Sequence, residues 1–114
     1  MAIYRMYTGD DDHTHIEETP LADHPDLLKI ETTKGVYIRS RPDETMEPHP
    51  APELRWLVVL SGIMAVTPTT ALNDPAATVR LGPGDIVRIT DITGSGHATS
   101  FIDNCTFAVM PISG

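Results

Sequence analysis

Apolar and polar residues alternate in short runs along most of this chain, and nowhere does an apolar stripe recur at helical spacing over three turns. The longest apolar run, RWLVVLSGIMAVTPT at 55–69, reads as one long strand or as two strands pinched at Ser61-Gly62. Upstream, LLKIETTKGVYIRSR at 27–41 carries β-branched and aromatic residues around Lys34-Gly35, which predicts a hairpin there. Downstream, TALNDPAA supplies turn residues, TVRL a short strand, LGPGD a tight turn, DIVRITDI a strand and TGSG a loop. HATSFI and CTFAVMPI follow as strands, with Asp103-Asn104 between them suited to a hairpin turn. About seven to nine short strands at regular spacing predict an all-β sandwich or barrel. Residues 8–26, TGDDDHTHIEETPLADHPD, are acidic and broken by prolines. They predict an irregular N-terminal arm over 1–27, with at most one helical turn, ahead of a β domain at 28–114.

Composition narrows the function classes. The 114 residues amount to one domain, and 40% apolar with 21% charged residues is the balance of a soluble globular protein. A formal charge of −8 argues against nucleic acid and anionic membrane as partners, because both are bound by clustered Lys and Arg. No apolar run approaches a membrane span, the N-terminus lacks the apolar core of a signal peptide, and Cys105 has no second cysteine to pair with. A cytoplasmic protein without disulfides is the expectation.

Three groups of residues could carry chemistry. In a strand starting at Arg55, alternation places Arg55, Leu57 and Val59 on one face, and later His97, Thr99 and Phe101 share a face. If both faces point inward, Arg55, His49 and His97 make a polar site in an apolar interior. The alternative is that Arg55 snorkels from a strand end and His97 opens its strand in solvent. His13 and His15, among Asp10, Asp11, Asp12, Glu17 and Glu18, could chelate an ion, but an acidic solvated arm is the plainer reading. Tyr37, Arg39 and Arg41 recur at period two, either as an anion-binding face or as the solvent face of a strand that buries Val36 and Ile38. The second is the ordinary pattern. TGSG has neither the spacing nor the following helix of a phosphate loop, and no Gly-x-Ser-x-Gly elbow occurs.

Two blocks, HPAPELRWLVVLSG with IMAV at 49–66 and LGPGDIVRITDITGSGHATSF at 81–101, resemble the small single-domain cupins. The resemblance covers roughly 36–112 and implies a jelly-roll β-barrel or sandwich, commonly dimeric, around a pocket that usually holds a divalent metal. The family's first metal motif has His-x-His, three or four residues, Glu or Gln, six residues and Gly. Counted back from Gly62, the Glu position is Arg55, the first histidine is His49 and the second histidine position is Ala51. The histidine of the second motif falls on His97. A guanidinium has no lone pair to give a metal, and two unit charges 4 Å apart repel by about 4 kcal/mol at an effective dielectric near 20.

The resemblance with these departures implies a metal-independent enzyme acting on a small carboxylate or enolate by isomerase, lyase or cyclase chemistry. In it, His97 is the acid–base group, Arg55 the electrostatic replacement for the metal, and His49 an assistant or substrate-orienting group. Tyr37, Arg39, Met64 and Thr99 are expected pocket walls. The alternatives are a metal-dependent cupin holding Fe, Zn, Mn or Ni on His49 and His97, and a non-catalytic module that binds a small molecule. A homodimer is expected, with Ile3, Tyr4, Met6 and Tyr7 as a segment to pack across its interface.

Overall fold

The computed structural model describes residues 2–25 and 29–113. Eight strands account for nearly all of the regular structure: β1 (Ile3–Thr8), β2 (Thr14–Glu18), β3 (Tyr37–Arg41), β4 (Glu44–His49), β5 (Arg55–Pro68), β6 (Val79–Leu81), β7 (Ile86–Ile89) and β8 (His97–Pro111). They form one sheet in the order β2-β1-β7-β5-β8-β3, with β4 added to β8 and β6 to β5. All pairings are antiparallel except β1 with β7. The all-β expectation holds. No helix among the described residues is long and apolar enough to cross a membrane.

The sheet bends back over itself at one corner. β5 and β8 pair along their whole lengths, Arg55 opposite Pro111 at one end and Pro68 opposite His97 at the other. Midway the register slips twice, between Val59 and Ser61 and between Ser61 and Ile63. There Gly62 adopts φ +74°, and across from it Asp103 and Asn104 adopt φ +59° and +53°. A bulge of this kind bends and twists its strand strongly. The two halves of β8 are folded together so closely that Phe101 and Phe107 stack, with centroids 5.6 Å apart and rings 4° from parallel. Between them lies the core of Met6, Leu57, Val59, Met64, Val66, Leu81, Val87, Ile89, Phe101, Cys105, Phe107 and Val109.

Several expectations change on contact with this fold. The pinch at Ser61-Gly62 is present, but Asp103-Asn104 is the bulge facing it and not a hairpin, because the partner strand continues past it. The irregular arm is corrected as well: Ile3–Thr8 and Thr14–Glu18 are a hairpin, and β1 is shared between β2 and the chain's own β7. The apolar alternation at Ile3–Thr8 was strong enough for a strand. What the sequence hid was its parallel partner some eighty residues away. The expected boundary between arm and β domain, at 27/28, lies outside the described residues. No hairpin forms about Lys34-Gly35, since over 29–36 the only pairing is a bridge from Thr33 to Ile112.

Local chemistry fixes the remaining turns. In 82–85 the Asp85 N–H donates to the Gly82 carbonyl at 3.0 Å, with Pro83 at the first corner and Gly84 at φ +88°. The Asp85 carboxylate accepts from Gly82 N and, through its other oxygen, from Ala2 N, both at 2.8 Å, which ties the start of β1 to this turn. On the outer face, Glu31 accepts from Trp56 Nε1 at 2.7 Å and from Arg88 Nε and Nη2 at 2.8 and 2.7 Å. These tie an irregular segment to neighbouring strands β5 and β7.

Two expectations follow for stability. A Cβ on Gly62 would lie 2.7 Å from the Cys105 Cα and 2.8 Å from the Ile102 carbonyl oxygen, both backbone atoms. Gly62→Ala is expected to cost about 1–3 kcal/mol, read as a lower urea midpoint. Hydrogen bonding from Arg88, and then from Trp56, holds the Glu31 carboxyl below its ordinary value against the opposing effect of burial. A depressed folded-state value means the stabilisation is present above the ordinary glutamate range and is lost as pH falls through the folded value. Glu31→Gln is therefore expected to lower stability by about 0.5–1 kcal/mol near neutrality, the screening of a partly exposed pair included. The gap from the unmodified protein should close as the pH of the denaturation series falls from about 6 to about 3.

Candidate functional site

A cavity of about 230 Å³ lies between the two folded halves of the sheet. Its walls are mostly apolar, among them Met6, Leu57, Met64, Val87 and Phe101, but Tyr37, Arg39, Arg41, His49, Arg55, His97 and Thr99 also line it. No carboxylate among the described residues lines it, so a protein of net charge −8 has a pocket whose basic wall is three arginines and two histidines.

Strand parity puts these groups there. On β5, Leu57 (4% exposed) and Val59 (0%) face in, and Arg55, two residues before, shares their face. On β8, His97 (7%), Thr99 (8%) and Phe101 (5%) face in together. His97 is thus buried at the start of its strand and not solvated, while Arg55 is half-buried and extends its Nη2 to the more exposed Glu53. β3 overturns the ordinary pattern: Val36 and Ile38 are exposed, at 63% and 58%, while Tyr37, Arg39 and Arg41 turn toward the cavity. Period two shows which residues share a face but not which face is inward. The arginine stems and rings do the covering, with Arg41 5.3 Å over the Phe101 ring and Arg39 5.4 Å over the Tyr37 ring.

At the open end, away from the corner, β4 pairs His49 with His97, and the two rings lie 5.8 Å apart at 52°. Gly96 makes this approach geometrically feasible, because a Cβ there would fall 2.3 Å from the His49 carbonyl carbon, and its φ is +79°. His49 Nδ1 donates to the Pro50 carbonyl at 2.7 Å. His97 Nδ1 donates to Asp91 Oδ2 at 2.6 Å, and Asp91 is fully buried. Since a carbonyl and a carboxylate only accept, both imidazoles carry hydrogen on Nδ1 when neutral, and Nε2 is left as the basic nitrogen of each ring. Asp91 also accepts from Thr14 Oγ1 at 2.8 Å, while its Oδ1 has no partner among the described residues.

Asp91 carries no role in the sequence reading, although it opens the DITGSGH block. Its signal was the spacing: six residues before a histidine, across a loop with two glycines, is a span that can fold an acid back onto the imidazole. The three arginines differ in their pairing. Arg41 meets Glu44, Nε at 2.7 Å and Nη2 at 2.6 Å from one oxygen. Arg55 Nη2 meets Glu53 at 3.0 Å, with its Nε buried and unpartnered among the described residues. Arg39 meets no carboxylate among the described residues and so presents the least compensated charge.

The residues were tested against a divalent ion. Two imidazoles with free Nε2 atoms are present, but Ala51 and Arg55 hold the other two ligand positions that the cupin resemblance implies. No three His, Cys, Asp or Glu side chains converge on one point among the described residues. The donor set does not make a full metal site, and no chemical step is drawn through one. His13 and His15 do not converge either: His13 Nδ1 meets Ser95 Oγ at 2.8 Å, and His15 Nε2 meets both Asp11 oxygens at 2.9 Å. Comparison with protein-family models, curated proteins and solved structures finds no match to the chain.

Proposed function

We propose that this chain is a small cupin-type enzyme acting on a small carboxylate or enolate by proton transfer in the cavity. The observation that carries the reading is His97, buried in a cationic pocket with Nδ1 fixed on a buried carboxylate. An all-β sheet folded over a cavity, with both cupin-like blocks on strands and loops that line it, supports the family reading.

The chemistry follows from the groups. With Nδ1–H held by Asp91, His97 Nε2 takes a proton from carbon next to a carboxylate or carbonyl, and the Asp91 carboxylate stabilises the imidazolium so formed. The electron pair released moves onto the substrate oxygen as an enolate, and the Arg55 guanidinium stabilises that charge as a metal would. Returning the proton to a different carbon gives isomerisation, and expelling a β-substituent gives elimination. Attack of the enolate carbon on a carbonyl within the same molecule, whose π bond opens onto an oxygen that takes the proton back from His97, gives cyclisation. His49 orients the substrate, Tyr37, Met64 and Thr99 form walls, and Arg39 holds the anionic group. The apolar remainder of the cavity suits a substrate with a hydrocarbon body. The proposal includes a cytoplasmic location and a homodimer, the latter because β3 ends the strand order and exposes Ile38, with Val36 exposed just before it.

A second reading is a divalent ion on His49 and His97, favoured by the Nδ1 contact of each ring, the arrangement that orients imidazole ligands in metal sites. Stoichiometric Fe, Zn, Mn or Ni in elemental analysis, lost together with activity on chelation, would decide for it.

The main test is deuterium uptake from D₂O at the carbon next to the carbonyl in a panel of small 2-oxo acids and unsaturated carboxylates. His97→Ala is expected to lower the exchange rate by about 10²-fold or more. Full exchange in that variant would sink the assignment. For binding, benzoate titrated into isotope-labelled protein should perturb the resonances of Arg39 and Thr99. Arg39→Ala is expected to weaken that binding by about fivefold, the effect of one partly exposed charge pair worth about 1 kcal/mol.

A further inference from the structure

We propose that Thr14 is a positioning residue for His97, so that the N-terminal hairpin is a working part of the site. The inference rests on reading His97 as the acid–base group. Thr14 opens β2, is 1% exposed, and donates its hydroxyl to Asp91 Oδ2 at 2.8 Å. That is the oxygen His97 Nδ1 contacts at 2.6 Å. The other oxygen, Oδ1, is buried and has no partner among the described residues. Two donors therefore meet on one oxygen and none on its twin. A carboxylate can turn about its Cβ–Cγ bond, and rotation would offer His97 the other oxygen at a different angle. Thr14 is the side chain that opposes this rotation.

The hairpin is itself fastened to the loop that carries Asp91 and His97. Thr8 Oγ1 donates to the Thr93 carbonyl at 2.9 Å, and Ser95 N donates to the Asp12 carbonyl at 3.1 Å. Ser95 Oγ meets His13 Nδ1 at 2.8 Å. Gly94 lies so close beneath Asp12 that a Cβ would come 2.5 Å from its carbonyl oxygen. Loop and hairpin turn are thus held in one registry, and Thr14, at the end of that turn, reaches Asp91 from a fixed base. Threonine suits the position because its methyl fills buried space while its hydroxyl, with no other partner among the described residues, donates to the carboxylate.

The test reads the tautomer of the His97 ring and the shift of its Nδ1–H proton, which needs no knowledge of the substrate. Uniformly ¹⁵N-histidine-labelled protein is examined at a pH where the rings are neutral, with His97 assigned by the loss of its signals in His97→Gln. The native protein should show a pyrrole-like Nδ1 and a pyridine-like Nε2, widely separated in shift. Thr14→Val, close to isosteric, should keep this tautomer, since either Asp91 oxygen accepts from Nδ1, but should move the Nδ1–H proton upfield as that hydrogen bond loses its fixed angle, and Thr14→Ser should restore the native Nδ1–H shift. Thr14→Val with native His97 shifts would overturn the proposal, as would Thr14→Ser behaving like Thr14→Val, since packing of the methyl would then be the cause. Asp91→Asn provides the reference for a ring released from the carboxylate, and backbone amide spectra of each variant confirm that the fold is retained. If His97→Ala left proton exchange intact, the catalytic reading would fail while the tautomer result stood.

Discussion

The structure depends on the ladder between β5 and β8 and on the corner at its midpoint. Those strands carry most of the inward-facing core, and every other strand except β1 and β2 pairs with one of them. A straight ladder of this length would leave one apolar face open to water. The corner closes that face on itself, at the cost of three residues with positive φ. Gly62 takes such a conformation without penalty, and Asp and Asn tolerate it better than other residues. The cavity exists because the two halves fold together without filling the space between them.

Electrostatics at the open end follow from that closure. A buried carboxylate is costly unless donors reach it, and Asp91 has two, Thr14 and His97, on a single oxygen. The imidazole gains a fixed orientation in return. The arginines sit differently: Arg41 and Arg55 are partly neutralised by Glu44 and Glu53, which stand outside the cavity wall, while Arg39 is balanced by no nearby acid among the described residues. The cavity wall thus carries arginines and histidines, with the buried Asp91 carboxylate set behind His97.

What the sequence made legible was decided by whether the controlling interaction was local. The Pro83-Gly84 turn, the pinch at Gly62 and the shared face of Arg55, Leu57 and Val59 depend on neighbours in the chain, and all were readable. The sidedness of β3 was not, because Val36 and Ile38 alternate with Tyr37 and the arginines whichever face is buried. The role of Asp103-Asn104 was misread, since positive φ at both residues fits a hairpin as well as a bulge and only the unbroken partner strand decides. The strand at Ile3–Thr8 was expected as part of an arm because its parallel partner, β7, lies far along the chain. Among the site residues, His49, Arg55 and His97 could be singled out from spacing and do line one cavity. Thr14 could not, because it matters only once the hairpin has docked, and Asp91 left no more than its loop spacing to His97 as a signal.

That docking sets an order of events during folding. β1 pairs with β7, Ala2 binds Asp85, and Thr14 binds Asp91, each across more than seventy residues. Contacts so distant in sequence form late and slowly, because a long loop must close before they contribute. Because Met6 of β1 belongs to the core, docking of the hairpin completes the core and braces the Asp91–His97 pair in one step. Release of the hairpin would then open the core and free the His97 ring together, so the site can be no more rigid than the pairing of β1 with β7.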